Sequence, residues 1–298
     1  MGTPEFSIPT LKVLKKSKHK IVCVYTQPPK KKSRGQKILK TAVHVFSENE
    51  GIKVNTNNLN SENEYKNFMN LNPDLVVVVA YGQIIPDIYL KKKDLIFLNL
   101  HASLLPKWRG AAPIERAVLN KDKETGISIM KIIPELDAGP FMIQEKIKIE
   151  KSDNFKSLSD KLAILGSSLT TKALDLIETN TFNFKEQDNA AATYAKKVDK
   201  NETEIKWNLP AKNLIAKING LSPYPGVWFK HQDVRIKILK AIEIKQSGEI
   251  GEILDNNLTV ACKENAIQIL SVQKAGKKIL NTKEFLSGYS IKKGEKLI

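Results

Sequence analysis

Apolar residues follow two different patterns along this chain. Between residues 20 and 150, short β-branched runs alternate with stretches of helical spacing, as in βαβ units. The clearest run, residues 74–80, is rich in Val and too short for a helix. It is bounded by Pro73 and Gly82, as buried parallel strands usually are. Further strands are predicted at residues 21–25, 96–101 and 127–132. These patterns predict an α/β domain with a mainly parallel sheet.

Beyond residue 150 the pattern changes twice. Residues 158–177 carry one apolar stripe at helical spacing, which predicts an amphipathic helix that closes the first domain. A polar connection follows at residues 180–192, and residues 211–219 have the pattern of another helix. The remaining chain shows short alternating strands separated by turn residues, which indicate a small antiparallel barrel. These strands are predicted at residues 227–229, 234–239, 251–254, 258–262 and 267–273.

The length of the chain supports a division into two domains. With 298 residues it is longer than a typical domain, and each part is long enough to bury a core of its own. We predict a Rossmann-like, mainly parallel sheet domain at residues 1–190 and a linker at residues 191–206. A C-terminal β-barrel domain of the OB-like type is predicted at residues 207–298.

The composition of the chain indicates where the protein is located. No apolar run approaches the ~20 residues of a membrane-spanning helix, and the first residues lack the basic and then apolar build of a signal peptide. The two cysteines, Cys23 and Cys262, each lie in an apolar strand-like stretch, which predicts core thiols in a reducing compartment. We therefore expect a cytoplasmic protein that makes no contact with a membrane.

The net charge of +16 favours a polyanionic partner. AT-rich coding is an alternative cause of the excess of Lys, since Asn and Ile are abundant as well. The distribution of the charge is more informative: residues 206–298 contain 16 Lys and Arg against 8 Asp and Glu. The segment 26–37 is also basic, and it is long for a simple connection between a strand and a helix. It is either a solvated loop or a surface that contacts phosphates.

The candidate chemistry is centred on the strand at residues 96–101. Side chains alternate along a strand, so Asn99 and His101 lie on one face at its carboxyl end, where such sheets bind ligands. A lone histidine in an apolar strand is more often a satisfied core residue. The sequence that follows changes this interpretation, because a turn-forming run at residues 102–114 and an acidic turn around Asp137 come next.

The motifs in this region identify a family. The strand Asn99-Leu-His101, the turn Ser103-Leu-Leu-Pro106 and the later loop around Asp137-Ala-Gly139 resemble the signature of formyltransferases that use 10-formyltetrahydrofolate. The run Trp-Arg-Gly-Ala-Ala-Pro-Ile at residues 108–114, the strand ending at residues 80–82 and the opening residues 2–6 resemble the branch acting on methionyl initiator tRNA. The resemblance covers essentially the whole chain, including a barrel-like C-terminal domain.

This resemblance implies that Asn99, His101 and Asp137 are the catalytic residues. Attack of an amine on a formyl carbon produces a tetrahedral oxyanion, to which Asn99 and a protonated His101 can donate hydrogen bonds. Asp137 would favour the charged imidazole, and directly or through a water it can accept the proton that leaves the attacking ammonium. The reaction needs no metal, and none of the four histidines forms a ligand-like pair.

The resemblance also implies binding sites for two substrates. The donor, 10-formyltetrahydrofolate, is expected to contact Tyr81, Gly82, Gln83, Ile84, Ile85 and Pro86. The turn of Ser103, Leu104, Leu105 and Pro106 would form a wall of the active site, although an ordinary strand-ending turn is the alternative. Methionyl initiator tRNA is expected to contact the basic segment through Lys30, Lys31, Lys32, Arg34 and Lys37.

One departure from the family lies at the start of the sequence. Relatives begin with a strand of roughly six residues before the Gly-Thr-Pro turn, whereas here Met1 directly precedes Gly2. We expect that a strand is missing from the sequence and that translation starts further upstream, because losing a buried strand would exceed the ~5–15 kcal/mol stability of a domain.

The predicted function is transfer of a formyl group from 10-formyltetrahydrofolate to the amino group of methionyl initiator tRNA, by a protein that acts as a monomer. A sugar-nucleotide formyltransferase or a formyl-folate hydrolase would share the same three catalytic residues, but such enzymes need no basic segment. A non-catalytic nucleic-acid-binding module is a third alternative, against which the intact Asn99, His101 and Asp137 argue.

Overall fold

The chain forms two compact units in a computed structural model that describes residues 1–32 and 37–297. The first unit comprises Met1–Gly110, Thr125–Ile147 and Ser159–Tyr194; the second comprises Ala111–Glu124, Lys148–Leu158 and Ala195–Ile298. Each unit contains its own cluster of buried apolar side chains. The predicted domain limits at residues 190 and 207 stay a prediction. No helix in the described part of the chain is both long and apolar enough to cross a bilayer.

The first 195 residues contain ten strands and six α-helices among the described residues. The strands are β1 (Val24–Tyr25), β2 (Lys30–Lys32), β3 (Lys37–Leu39), β4 (Val54–Asn55), β5 (Leu75–Val78), β6 (Ile96–His101), β7 (Arg109–Gly110), β8 (Glu124–Lys131), β9 (Phe141–Lys148) and β10 (Tyr194–Ala195). The helices are α1 (Ile8–Lys16), α2 (Ala42–Asn49), α3 (Glu62–Asn70), α4 (Asp87–Leu90), α5 (Pro113–Leu119) and α6 (Phe155–Glu178). The predicted strand at residues 96–101 and the predicted helix at residues 158–177 are confirmed.

The sheet of the first unit has a parallel core. Strands β1 and β4 are parallel, as are β5 and β6. The backbone of Met1 and Gly2 hydrogen-bonds to both pairs: Gly2 N–H donates to Tyr25 O, and Val79 N–H donates to Met1 O, each at 2.9 Å. On the other side, β8 is antiparallel to β6, and β9 follows β8 in the strand order. The sheet is therefore mixed, with antiparallel strands at one edge of the predicted parallel core.

Helices cover both faces of strand β6. On one face, an ideal Cβ on Gly166 of α6 would lie 2.6 Å from Leu100 Cδ1, so glycine lets the helix approach the strand closely. On the other face, the ring of Phe97 stacks on that of Phe68 in α3, with centroids 6.2 Å apart. Burial on both faces explains why β6 reads as an almost continuous apolar run. Asn99 and His101 are the polar residues of this apolar strand, and burial alone does not explain their presence.

A buried carboxylate ties α3 to the ends of β1 and β4. Glu64 is only 2% exposed, yet it accepts hydrogen bonds from Tyr25 Oη, Asn55 Nδ2 and Asn57 Nδ2, each at 2.7 Å. Three donors replace the water that a buried carboxylate loses. Burial and the adjacent Glu64 also raise the pKa of Tyr25, so this phenol stays protonated and keeps donating. The network holds the parallel strands at the end where the candidate residues lie.

The second unit is built around an antiparallel sheet. Its elements are α7 (Ala211–Leu221), β11 (Val227–His231), β12 (Val234–Ile244), β13 (Thr259–Ala261), β14 (Ala266–Lys274), β15 (Ile279–Asn281) and α8 (Thr282–Ser287). The strand order is β11-β12-β14-β13, with β15 paired to β14. The predicted helix and four of the five predicted strands are confirmed. Residues 251–254 are not a strand and make only single bridges to Lys296 and Val260. An antiparallel sheet is present, but an OB-like barrel is not confirmed.

The two cysteines have different environments. Cys262 is buried in the core of the second unit, whereas Cys23 is half-buried, so the expectation of core thiols holds fully only for Cys262. Neither forms a disulfide. Burial raises the pKa of both thiols, that of Cys262 to about 11. Both groups are therefore protonated and poorly nucleophilic near neutral pH.

We predict that Cys262 is unreactive in the folded protein. At pH 8, a thiol with a pKa of about 11 is thiolate in only about one molecule in a thousand, and burial further limits access. A Cys23→Ser variant should react with Ellman's reagent at least about 100-fold more slowly when folded than in denaturant. A thiol that reacts equally fast in both states would contradict the buried position.

Candidate active site

Two chain segments bring the three predicted catalytic residues together. Asn99 and His101 lie at the carboxyl end of β6, and Asp137 lies in the connection between β8 and β9. Asn99 Nδ2 is 3.5 Å from Asp137 Oδ1, and His101 Nδ1 is 3.6 Å from Asp137 Oδ2. His101 is 5% exposed and Asp137 is half-buried. The carboxylate therefore faces both the amide and the imidazole, while part of it stays accessible to a ligand.

The second nitrogen of His101 fixes where the ring carries a proton. His101 Nε2 lies 2.8 Å from the carbonyl oxygen of Trp108. A carbonyl oxygen can only accept, so Nε2 carries the hydrogen and donates it to Trp108. The Nδ1 atom then faces Asp137, with Oδ2 3.6 Å away.

Three non-glycine residues around the site adopt a backbone conformation that side chains rarely allow. The φ angle is +47° at Ala80, +64° at Trp108 and +48° at Asp137. Each such residue costs on the order of 1–3 kcal/mol and persists only where its surroundings hold it. The three lie after β5, after β6 and after β8, in the loops that carry the predicted site. Three of the ten such positions among the described residues therefore lie in the loops that carry the candidate residues.

Hydrogen bonds from two other segments hold the loop that carries Asp137. Gly110 N–H donates to Asp137 Oδ2 at 2.8 Å. Gln187 Nε2 donates to the carbonyl oxygens of Asp137 and Gly139, at 2.8 and 2.6 Å. Gln187 was not predicted from the sequence, because it lies in the polar connection at residues 180–192 with no periodic or motif signal. Its burial, at 7% exposure, is the feature that distinguishes it.

The turn at residues 103–106 has its polar groups satisfied within the protein. Ser103 Oγ donates to Lys107 O at 2.5 Å, and Ser128 Oγ donates to Ser103 O at 2.6 Å. Gln144 Nε2 donates to Leu105 O at 2.7 Å. Ser103 is fully buried and Leu105 is 3% exposed, whereas Leu104 and Pro106 are half-buried. The turn thus lies between His101 and Trp108 in the chain. If it forms a wall of the active site, the half-buried Leu104 and Pro106 are the side chains that provide it.

The segment predicted to bind the folate combines buried anchors with one exposed apolar side chain. Tyr81 and Ile85 are buried, whereas Ile84 is 90% exposed. Gln83 and Pro86 are half-buried. Ile84 is therefore the apolar side chain of this segment that is accessible to a ligand.

Gln27 links this segment to the basic segment. Its Nε2 donates to Tyr81 O at 3.2 Å and to Gly82 O at 2.9 Å, and its Oε1 accepts from Lys30 Nζ at 2.7 Å. Lys30–Lys32 and Lys37–Leu39 pair as the antiparallel strands β2 and β3, which contain Lys31, Lys32 and Lys37. Arg34 lies outside the described residues. Lys30, the first predicted tRNA contact, therefore hydrogen-bonds to Gln27, which in turn hydrogen-bonds to the predicted folate segment.

One group of side chains in the described part of the chain has the spacing of a metal site. Atoms of His19, Asp175 and Glu178 lie within 4.8 Å of one another. Lys18 Nζ, however, lies 2.5 Å from Glu178 and lowers the pKa of its carboxyl group. Both carboxylates are exposed, so the group is better described as a surface ion pair.

The fold and the site define an α/β enzyme with an Asn–His–Asp arrangement at the end of its parallel strands. The family is shown by the sequence: residues 1–174 match the family described as formyl transferase, and residues 197–290 match the formyl transferase C-terminal domain. The chain belongs to the formyl transferase family.

Relatives across several bacteria support this assignment. A methionyl-tRNA formyltransferase of Pelagibacter ubique is 49% identical, covering 100% of this chain and 97% of that protein. One of Parvibaculum lavamentivorans is 41% identical, covering 99% and 97%. Among solved structures, an N-formyltransferase from Helicobacter canadensis in complex with folinic acid and dTDP-3-aminofucose has a TM-score of 0.65 at 20% identity, covering 92% and 97%. That structure shares the fold.

We predict that Gly82→Ala destabilises the protein more than Gly51→Ala. Both glycines have positive φ, +74° and +68°, so each alanine costs about 1–2 kcal/mol. Only at Gly82 would the new Cβ meet another atom, Gln27 Nε2 at 2.5 Å, which breaks hydrogen bonds worth about 1 kcal/mol each. Urea unfolding of both variants measures the difference.

A second pair of variants tests the cause. In a Gln27→Ala background, Gly82→Ala should cost no more than Gly51→Ala, since the side chain it meets is gone. An unchanged cost of Gly82→Ala in that background would show that the contact with Gln27 is not responsible.

Proposed function

We propose that this protein transfers a formyl group from 10-formyltetrahydrofolate to the amino group of methionyl initiator tRNA. The observation that carries the proposal is the convergence of Asn99, His101 and Asp137, with the carboxylate 3.5 and 3.6 Å from the other two. Two relatives at 49% and 41% identity over the full chain are methionyl-tRNA formyltransferases. The acceptor is thus an aminoacyl ester on RNA.

The proton balance of the reaction assigns a role to Asp137. The methionyl ammonium loses one proton before its nitrogen bonds to the formyl carbon, and the same nitrogen loses a second proton as the tetrahedral intermediate collapses. The bond from that carbon to N10 of the folate breaks as N10 gains one proton, so one proton is released overall. Asp137 Oδ2 is engaged by Gly110 N–H and faces His101 Nδ1, whereas Oδ1 makes, among the residues that the structure describes, a single long contact of 3.5 Å with Asn99 Nδ2. Oδ1 is therefore the atom that accepts the ammonium proton, directly or through a water.

Asn99 and His101 stabilise the tetrahedral intermediate. The 3.5 Å separation of Asn99 Nδ2 from Asp137 is at the limit of a hydrogen bond, so little is lost when the amide turns to the oxyanion. His101 Nε2–H already donates to a carbonyl oxygen, that of Trp108, and exchanges this acceptor for the substrate oxygen. Charge develops on that oxygen in the transition state, where hydrogen-bond donors contribute most.

The basic segment and a face of the second unit provide contacts for RNA. In the sheet, Trp228 pairs with Lys237 and Lys230 pairs with Arg235, and the intervening residues are buried. The Arg235 guanidinium lies 4.0 Å from the Trp228 ring centroid, and Lys237 Nζ lies 5.8 Å from that of Tyr224. We call these five residues the cationic–aromatic face.

The electrostatics of the cationic–aromatic face favour an anion. Burial and the neighbouring Arg235 lower the pKa of Lys237, because its positive charge is partly desolvated and close to another. A phosphate placed between the two side chains relieves this repulsion. Exposed aromatic rings beside cations are also the surface on which single-stranded nucleic acids stack.

The remaining assignments follow from this function. The folate donor contacts residues 81–86, with Ile84 against its ring, and Leu104 and Pro106 form part of the wall. Residues 207–298 act as the RNA-binding domain, in the manner of an OB-like fold. Acting on initiator tRNA, the protein works in the cytoplasm as a monomer.

We predict that Asn99→Ala and His101→Ala each reduce kcat by about 100-fold or more, since each removes an oxyanion donor. The measurement is transfer of labelled formyl from 10-formyltetrahydrofolate to methionyl initiator tRNA. His19→Ala, which alters a histidine at the surface ion pair, should leave the rate unchanged.

Other acceptors in the same assay separate the alternatives. Formate release without transfer would indicate a formyl-folate hydrolase, and transfer to an amino-sugar nucleotide but not to tRNA would indicate the sugar branch. Binding of tRNA without any turnover would indicate a nucleic-acid-binding module.

We predict that Arg235→Ala weakens tRNA binding and reduces the slope of log affinity against log salt by roughly one, the loss of one phosphate contact. Lys172→Ala, on the exposed side of α6, is the charge-matched control and should leave the slope unchanged. Equal slopes for both variants, measured by filter binding, would remove the cationic–aromatic face from the interface.

A further inference from the structure

Gln187 is a buried polar side chain that the reaction does not use directly. It is 7% exposed, and its amide meets hydrogen-bonding partners on both sides. Nε2 donates to Asp137 O at 2.8 Å and to Gly139 O at 2.6 Å, and Oε1 accepts from Arg109 Nε at 3.0 Å. All hydrogen-bonding capacity of the NH2 group is therefore directed at the backbone of the loop that carries Asp137.

The orientation of the Gln187 amide is set by chemistry. Arg109 has only donors, so the amide oxygen must face it and the NH2 group must face the two carbonyls. Arg109 is itself 4% exposed, and its Nη2 donates to Asn189 Oδ1 at 2.7 Å. The buried guanidinium is held at both Nε and Nη2, so its position is fixed. The Gln187 amide can therefore take only one orientation.

The loop needs such support. Asp137 has φ +48°, which an L-residue adopts only when its neighbours hold it. Two residues on, an ideal Cβ on Gly139 would lie 1.9 Å from Lys131 O, so the backbone passes against β8 without space for a side chain. Gln187 binds the carbonyl at each end of this short stretch.

The same arrangement reaches the carboxylate from its other side. Gly110 directly follows Arg109, and its N–H donates to Asp137 Oδ2 at 2.8 Å. Gln187 therefore holds the main chain of Asp137, and Gly110 holds its side chain. Gly110 directly follows Arg109, the residue that orients Gln187. Both supports converge on the Asp137 carboxylate, and Trp108, which directly precedes Arg109, accepts from His101 Nε2.

We propose that Gln187, oriented by Arg109, is a positioning residue that holds the Asp137 carboxylate toward His101 and Asn99 for formyl transfer. The expected effect on kcat rests on the proposed function. The claim that Gln187 holds the Asp137 carboxylate in place does not depend on it. Displacing a reacting group by about 1 Å reduces rates by about 100-fold. Gln187 is only 7% exposed, so its loss should act on kcat rather than on substrate binding.

The first test is Gln187→Met, which keeps the length of the side chain and removes every hydrogen bond. We expect kcat to fall by about 100-fold, with KM for both substrates within about twofold. Glu186→Met alters the exposed neighbour and is the matched control, with full activity expected. A variant that retains the wild-type kcat, or one that loses activity through KM alone, would overturn the proposal.

A second background distinguishes positioning from a general loss of structure. If Gln187 acts only through Asp137, Gln187→Met should cause no further loss of rate in an Asp137→Ala enzyme. A full further loss of about 100-fold in that background would mean that Gln187 supports the fold and not the carboxylate.

Crystal structures of the wild-type protein and Gln187→Met decide the structural claim whether or not formyl transfer is observed. We expect the Asp137 carboxylate to leave Gly110 N–H and move away from His101 in the variant. If it stays within hydrogen-bonding distance of Gly110, the inference is wrong. A wild-type protein that transfers no formyl group to tRNA refutes the proposed function instead, and leaves the displaced carboxylate as support for the positioning role.

Discussion

The placement of one carboxylate is the constraint on which the candidate site depends. Asp137 must face Asn99 and His101 together, and it does so from a backbone conformation that is unfavourable for a non-glycine residue. Its connection between β8 and β9 cannot supply this geometry alone. The hydrogen bonds come from Gly110 and Gln187, which are distant in sequence and meet only in the folded unit. The site is therefore a property of tertiary structure and not of one motif.

The parallel core explains why the other parts of the site meet at one edge. Strands β5 and β6 run in the same direction, so Ala80 and His101 leave the sheet on the same side. Packing of Leu100 against α6 and of Phe97 against α3 fixes β6 from both faces. A strand held in this way gives its terminal side chains a defined position, while the loops after the strands absorb the strain.

Sequence patterns predicted the parts of the structure that depend on local periodicity. Strand β6, helix α6 and the position of Asn99 and His101 were predictable because burial imposes alternation or a helical stripe. The stretch at residues 251–254 was predicted wrongly, since Ile253 is buried although the segment makes single bridges only. Strand β9 escaped prediction because most of it is half-exposed. Gln187 and Gln27 escaped because a polar side chain in a loop gains its partners only through tertiary contacts.

Binding and chemistry depend on different physical interactions in this protein. The candidate site contains few charges, and its geometry rests on buried or half-buried hydrogen bonds that salt screens weakly. The cationic–aromatic face has exposed positive charges, whose attraction to phosphate weakens steeply as salt increases. A net charge of +16 could therefore indicate a polyanionic partner but not a reaction. The proposed chemistry depends instead on the atoms around Asp137, where charge is sparse and position decides what each group can do.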